Sequence, residues 1–555
     1  MKKLLLLTFY LLLTSCGIFY KKITPPEVTY PYQKPQITAL NDTLRYFQDN
    51  YIAKNQQGLW ELYLSGNPYQ LGLNSGALTE PLYHRQDSLL FVKLNQFVPS
   101  ERKQRFLRKF VKWFNRDINN CVIPPFRQEL WGQAQYSDTI FNYIAPAYQR
   151  TLYLHSAHDL GHDLQDLMLV GCSSLAVWGD KTEDGQLLIG RNFDFYLSDD
   201  FATEKVVRFV RPEEGIPFMS YAWGGMIGVL SGMNLEGLTV TINAGKSSIP
   251  LKARTPISLL CREILQYAKN IDEAIAIAKK RKVFVSEAIM VGSATDGKAV
   301  IIEVSPKKFG VYEAPNAVLC ANHFQSEVYK KDKKNLKQIR TSHSAYRYAK
   351  MQEFLTEEPK LNPSKIATLL RSTEGLHADS IGYGNEKALN QLLAHHAVIF
   401  KPQERLVWVS TAPYQLGTFV AYDLKQIFAT KAYPSHSPYP QTSLNIPPDP
   451  FMYTQAFKDY EAYRVLEQQI ETHLREHTPI VIDEVKPITS LNPHYWKAYY
   501  LLGRAYQTQG NKETAHQLFQ KALQCEIPYS EERKKIQKLV KKISNVNQGL
   551  RNDCL

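Results

Sequence analysis

Cysteine is scarce in this chain of 555 residues and shows no pairing pattern. The seven cysteines, Cys16, Cys121, Cys172, Cys261, Cys320, Cys525 and Cys554, have neither the close spacing that grips a metal nor the density of a disulfide-stapled scaffold. No metal, no cofactor and no essential disulfide is expected. Zinc-knuckle spacing, an aromatic RNA-binding signature and a recognisable DNA-binding helix pair are also missing, and the basic residues are spread rather than clustered. The formal net charge of +13 therefore reads as a weak attraction to anionic lipid or envelope polymer, with no nucleic-acid partner. The apolar run near the N-terminus is too short to span a bilayer. What the chain does have is apolar and aromatic substance: 44% hydrophobic residues, with 33 Tyr and 25 Phe, exclude a disordered chain. Its length exceeds what one core organises, so two or three domains are expected.

Residues 1–16 open Met-Lys-Lys, continue through an apolar run from Leu4 and end Leu13-Thr14-Ser15-Cys16. A charged start, a short apolar middle and a small residue before cysteine make a signal peptide. The ending resembles the bacterial lipobox, whose cysteine is lipidated and becomes the first mature residue. Cys16 is thus expected to anchor the protein in the cell envelope. Lys21-Lys22, where acidic residues would have resembled a surface-export signal, favour the periplasmic face of the outer membrane. Residues 17–36, rich in Pro, Tyr and Lys, read as a tether.

Residues 37–171 read as mainly helical, with one strand at 59–65 and then a Gly66, Pro68, Gly72, Gly76 cluster that implies a constrained turn. From Gly171 onward the texture changes to short strand-like runs at 206–210, 237–243, 287–291, 300–304, 317–321, 397–400 and 405–410. Helices are expected at 256–280, with Thr255-Pro256 as cap and first-turn proline, and near 344–355. Strand blocks with inserted helices make an α+β fold, its body over 172–432. A Pro- and Ser-rich linker follows over 433–449, then a helical region over 450–555. There Trp496, Gly503, Tyr506, Gly510, Ala515, Phe519, Ala522 and Pro528 match a tetratricopeptide-type hairpin. One repeat cannot form a solenoid alone, so this tail reads either as a helical cap on the body or as a groove for a protein partner.

The chemistry sits in the middle of the chain. Val170-Gly171-Cys172-Ser173-Ser174-Leu175-Ala176-Val177, then Thr182-Glu183-Asp184-Gly185, then Leu188-Ile189-Gly190-Arg191-Asn192-Phe193-Asp194 read as a β-hairpin. Its return strand brings an arginine and an aspartate beside the cysteine. Thiolate reacts where thiol does not, and a nearby cation lowers a thiol's pKa, so Cys172 is the candidate nucleophile. A buried structural cysteine beside a surface Arg/Asp pair has the same local pattern.

Taken in order, Gly66-Asn67-Pro68-Tyr69-Gln70-Leu71-Gly72 with Gly76, Gly171-Cys172, Gly190-Arg191-Asn192-Phe193-Asp194, Gly232-Met233-Asn234-Leu235-Glu236-Gly237-Leu238 with Asn243, and Ala321-Asn322-His323-Phe324 resemble one family. It is the acyl-coenzyme A:6-aminopenicillanic acid acyltransferase (peptidase C45 type) family of N-terminal nucleophile hydrolases, and the likeness runs from about Leu59 to Ala421. The resemblance implies an αββα sandwich and self-cleavage between Gly171 and Cys172. Residues 37–171 would then be a partner chain that stays associated, and Cys172 a new chain start. A freed α-amine has a reference pKa of about 8, so it can take the thiol's proton without any histidine. By the same resemblance Arg191 favours thiolate, Asp194 hydrogen-bonds the α-amine, Asn243 and Asn322 donate to the tetrahedral oxyanion, and Arg347 orients this group. Ser173 stands where many relatives carry threonine. His323, His395 and His396 lack ligand spacing and read as structural.

The expected protein is a lipid-anchored amidohydrolase or acyltransferase that opens a small N-acyl substrate through a Cys172 thioester. Export favours water as acceptor. Two other readings stay open: an acylase for conjugated bile acids or penicillins, and a non-catalytic envelope lipoprotein that holds a partner with its tail.

Overall fold

The computed structural model describes residues 23–98, 100–163, 170–195, 198–247, 252–393, 395–429 and 440–552. Cys16, the lipidation site expected from the sequence, the expected signal peptide over 1–16, the start of the expected tether and the 433–439 part of the linker lie outside them.

Two antiparallel-rich sheets form the centre. Among the described residues the larger has eleven strands, in the order β1 (Thr38–Asn41), β2 (Leu44–Phe47), β3 (Asn50–Lys54), β4 (Trp60–Gly66), β7 (Lys205–Pro212), β8 (Phe218–Trp223), β9 (Ser231–Asn234), β10 (Leu238–Ala244), β11 (Glu287–Ser293), β12 (Lys298–Val304) and β13 (Phe309–Tyr312). The smaller has six, in the order β14 (Ala317–Cys320), β5 (Val170–Val177), β6 (Leu188–Phe195), β15 (His396–Lys401), β16 (Leu406–Ser410) and β17 (Phe419–Asp423). Central strands such as β10 and β11 are buried along their whole length. In β11 the run Ala288-Ile289-Met290-Val291 is apolar on both faces, as suits a strand covered on both sides, whereas in β10 Thr239, Thr241 and Asn243 alternate with Leu238, Val240 and Ile242.

Three apolar layers stack through these sheets. Between them lies a core of Tyr51, Tyr63, Val207, Phe209 and Met290 against Ala176, Ile189, Val398, Phe400 and Val407. Outside the larger sheet pack helices α1 (Pro68–Phe97), α2 (Pro124–Ala134), α3 (Ala147–Asp163), α4 (Ile257–Tyr267) and α5 (Ile271–Lys280), through Leu78, Leu130, Leu152, Leu260 and Ala274. Outside the smaller sheet pack α6 (Ser344–Glu357) and α7 (Pro363–Arg371), through Met351, Ile366 and Leu370. The order is helix, sheet, sheet, helix, the αββα sandwich expected. A fourth cluster joins the C-terminal helices α8 (Gln455–Glu476), α9 (Trp496–Thr508), α10 (Lys512–Gln524) and α11 (Ser530–Asn552) to Leu392 and Leu416 of the body.

The chain before Gly171 is woven into the chain after it. β4 pairs in parallel with β7 from Trp60↔Val206 to Gly66↔Pro212. Glu129 on α2 meets Arg262 at 3.1 Å and Arg208 at 3.6 Å, with all three side chains buried. Removing one partner of such a pair strands a charge away from water, which costs about 3–5 kcal/mol.

Several local expectations change. The mainly helical 37–171 begins with four strands rather than one, because β1–β3 are short and carry polar residues that reveal no alternation. The Gly/Pro cluster after β4 is the start of α1, not an extended turn. Its glycine at Gly72 serves packing: a Cβ there would stand 1.9 Å from the Glu129 carbonyl oxygen, and one at Gly132 would stand 2.4 Å from that of Tyr69. The helix expected at 256–280 is two, α4 and α5, with Asn270 capping the second by accepting from Glu273 N–H. The described end of the 433–449 linker is packed, with bridges Tyr422↔Pro440 and Phe419↔Ile446, because Ile446 is buried against the smaller sheet.

Gly72→Ala is expected to push α1 off α2 and destabilise the protein by more than about 2 kcal/mol, read from the midpoint of denaturant unfolding.

Candidate active site

The β5–β6 hairpin aligns Gly171 with Asp194, Cys172 with Phe193, Ser173 with Asn192 and Ser174 with Arg191. Side chains alternate across a strand, so Cys172, Ser174, Arg191 and Phe193 share the face toward the larger sheet. Ser173, Asn192 and Asp194 share the face toward the helices. All of these residues are at most 1% exposed.

On the sheet face, Arg191 Nη2 lies 3.8 Å from Cys172 Sγ and also donates to the Ile242 carbonyl, while Nη1 donates to Ser231 Oγ. The guanidinium sits 4.3 Å from the centroid of the Phe193 ring. Although Arg191 favours thiolate, burial outweighs it and pushes the Cys172 thiol up to about 11. The pull of Arg191 thus runs in the expected direction without ionising the thiol. In the intact chain the thiol keeps its proton, and activation needs a base.

On the helix face, Arg347 from α6 donates to the Cys172 carbonyl, to Ser173 Oγ at 2.7 Å and to Asn322 Oδ1. Asn322 Oδ1 also accepts the Cys172 N–H at 3.0 Å. Asp194 makes no comparable contact: neither carboxylate oxygen accepts a hydrogen bond from any described residue. Burial pushes its pKa up to about 7, against the pull of Arg347 and Arg191.

The two asparagines are placed differently from expectation. Asn243 on β10 accepts from Ser174 Oγ at 2.7 Å and spends its Nδ2 on the carbonyls of Cys320 and Ala321, at 3.1 and 3.2 Å. Asn322 Nδ2 donates to the Ala244 carbonyl at 2.9 Å. In the intact chain, then, Asn243 is a brace between β5 and the β14 end rather than a free oxyanion donor. Asn322 presents its oxygen to Cys172 because two donors, the Cys172 N–H and Arg347, converge there. One Nδ2 hydrogen of Asn322 is left over.

Sequence reasoning named His395 and His396 as structural and missed Gln391 and His343. His396 Nε2 lies 3.0 Å from Ser231 Oγ and 3.3 Å from Arg191 Nη1, and its Nδ1 lies 2.8 Å from His395 Nδ1. Burial and neighbouring cations hold both imidazoles well below their usual pKa, so they are neutral. Gln391 packs on Gly171 so closely that a Cβ on the glycine would stand 2.4 Å from Gln391 Nε2. His343 accepts from Arg347 Nε at 3.0 Å. The His395-His396 pair at the start of a strand was visible as a signal. Gln391 and His343 carried none, because they reach the site from loop and helix-cap positions far along the chain. His323 is half-buried beside Ser344 Oγ, at 2.8 Å, and does not contact Cys172.

With this geometry in hand, comparisons place the core. Residues 181–412 match the family described as acyl-coenzyme A:6-aminopenicillanic acid acyl-transferase. The matched stretch begins just past Cys172 and holds Arg191, Asp194, Asn243, Asn322 and Arg347, so the family resemblance is borne out over this part of the chain. An uncharacterized protein of Archaeoglobus fulgidus is 26% identical over 287 residues, 47% of this chain and 46% of its own. Protein dcd1B of Dictyostelium discoideum is 21% identical over 264 residues, 45% of this chain and 51% of its own. The chain thus spans about half the length of the curated relatives it matches. Among solved structures, a Caenorhabditis elegans N-acylethanolamine-hydrolyzing acid amidase ortholog aligns over 42% of this chain and 93% of that one, at 15% identity and a TM-score of 0.31. A mutant conjugated bile acid hydrolase from Clostridium perfringens aligns over 46% and 93%, at 12% identity and 0.31. Penicillin V acylase from Agrobacterium tumefaciens aligns over 43% and 83%, at 13% identity and 0.30.

Asp194 gives a pH test with a definite sign. A free carboxyl releases its proton near 3.8, whereas folded Asp194 keeps it to about 7. Its contribution to stability is fully present below pH 3.8 and is lost as the pH rises to about 7, after which a charge stays buried. Asp194→Asn is therefore expected to stabilise the intact chain by on the order of 3 kcal/mol at pH 8 and hardly at all at pH 4, read by denaturant unfolding at both values.

Proposed function

We propose that this chain is the precursor of a cysteine N-terminal nucleophile amidohydrolase, which cuts itself between Gly171 and Cys172 and then opens a linear amide through a Cys172 thioester. The observation that carries this reading is the unmet carboxylate of Asp194, buried opposite Gly171 on the paired strand. A buried carboxyl with no donor is costly, and an amine liberated at Cys172 supplies the missing cation. The protonated thiol points the same way, since a thiol held to about 11 needs a proton acceptor within the site.

In maturation, the Cys172 sulfur attacks the Gly171 carbonyl carbon. The C–S bond forms, the C–N bond breaks, and the new amine keeps the thiol's proton. Water hydrolyses the thioester and returns the thiol. In turnover the α-amine takes the thiol's proton, thiolate attacks the substrate's amide carbonyl, and the leaving amine departs with that proton. Arg191 Nη2 stabilises the thiolate, Asn322 Oδ1 holds the α-amine, and the spare Nδ2 hydrogen of Asn322 is available to the oxyanion. Arg347 keeps Asn322 and the Cys172 carbonyl in register. The substrate is a small N-acyl compound. A lipid on Cys16 holds the enzyme at the periplasmic face of the envelope, where water is the acceptor. The parallel β4–β7 pairing and the buried Glu129 pairs favour continued association of the two halves after the cut.

Denaturing electrophoresis with N-terminal sequencing is expected to show a fragment beginning Cys172-Ser173-Ser174 that co-purifies with its upstream partner and leaves it only under denaturant. Cys172→Ala is expected to stay intact and inert toward a panel of N-acyl amino acids, bile salts and penicillins. Survival of cleavage in that variant would identify a different nucleophile.

A further inference from the structure

The C-terminal helices reach the Cys172 site at two points. The first runs through hydrogen bonds. Tyr529, one residue before α11, places its hydroxyl 2.8 Å from His343 Nε2, and its ring stands edge-on to the imidazole at 4.9 Å. His343 Nδ1 lies 3.0 Å from Arg347 Nε, and Arg347 holds the Cys172 carbonyl, Ser173 Oγ and Asn322 Oδ1. The tautomer follows from the donors. Arginine only donates, so His343 Nδ1 is the acceptor; burial beside Arg347 and Lys387 keeps the ring neutral, so its one proton is on Nε2 and is given to Tyr529 Oη. The hydroxyl thereby selects the ring orientation that receives Arg347.

The second point is a strap over Gly171. Gln391 rests on that glycine, and the next residue, Leu392, has a left-handed backbone with φ of 50°. A branched side chain adopts this only where its surroundings over-determine it. Here they do: Tyr460 Oη on α8 donates to the Leu392 carbonyl at 3.1 Å, and the Leu392 side chain is buried in the C-terminal cluster.

We infer that the C-terminal helical region is a built-in positioning element of the Cys172 site, with Tyr529 its positioning residue through His343 and Arg347. This rests on the reading of Cys172 as nucleophile. The tail thus serves the body's own chemistry, in contrast to a groove kept for an outside partner.

The test uses the full-length precursor and its own Gly171–Cys172 bond as substrate, so no external substrate has to be known. Tyr529→Phe keeps the ring and removes the acceptor, and is expected to slow self-cleavage on the order of tenfold while the chain stays fully folded at the assay temperature. The hydrogen-bonded His343 Nε2 proton is expected to leave its downfield position in the NMR spectrum of the same variant. His343→Gln is expected to slow cleavage as well, and the double variant to be no slower than His343→Gln alone, because both act through one bond. Glu531→Gln, an exposed neighbour 3.8 Å from Lys337, is expected to behave as the parent. Parent-like cleavage in Tyr529→Phe, fully additive losses, or equal slowing in Glu531→Gln with a lowered midpoint would each overturn the positioning role. If Tyr529→Phe is parent-like while Cys172→Ala is inert, only this inference fails; if Cys172→Ala still cleaves, the nucleophile reading fails and takes this one with it.

Discussion

Arg191, Asp194 and Arg347 are all withdrawn from water around one peptide bond, Gly171–Cys172, and the behaviour of the site follows from that desolvation. Burial raises the thiol, raises the carboxyl and lowers both guanidinium groups. Opposite charges reduce these penalties without cancelling them, since the arginines are committed mainly to neutral oxygens: Ile242 and Ser231 for Arg191, and Cys172, Ser173 and Asn322 for Arg347. Asp194 is left with no donor among the described residues. The chain therefore holds an electrostatic imbalance beside the Gly171–Cys172 bond, which is what motivates the proposal that this bond is cut.

Such an arrangement requires a rigid frame, and the frame comes from the whole length of the chain. The larger sheet joins β4 to β7 across the site's position in sequence, and the buried Glu129 with Arg208 and Arg262 ties the upstream helices to the same sheet. From the other side, the C-terminal region presses a strained turn at Leu392 and a tyrosine hydroxyl against the residues that contact the Gly171–Cys172 peptide. Tail, body and upstream segment form successive shells around one bond.

How much of this was legible depended on distance along the chain. The β5–β6 hairpin was, because its turn residues, its apolar strands and the Cys172, Arg191 and Asp194 spacing are local. Arg347 was reachable only by resemblance, as an arginine on a helix gives no local sign of facing a carbonyl far away in sequence. Of the four N-terminal strands only β4 was visible, since β1 to β3 are four or five residues long and too short to show an alternation. Gly72 and Gly76 looked like turn glycines, yet they sit within α1, where they admit α2 and Tyr136. A glycine that permits close approach and one that permits a turn are the same letter.

The sequence by itself determined the layered α+β architecture, the hairpin that presents Cys172 and the identity of the charged residues near it, because these depend on periodicity, turn chemistry and residue type. Only the tertiary structure decided the protonation of that thiol, the missing donor at Asp194, the use of Asn243 as a brace and the reach of Tyr529 through His343 to Arg347. Each of those is a matter of burial or of which donors converge on one acceptor. Such quantities exist only once distant segments have excluded water together.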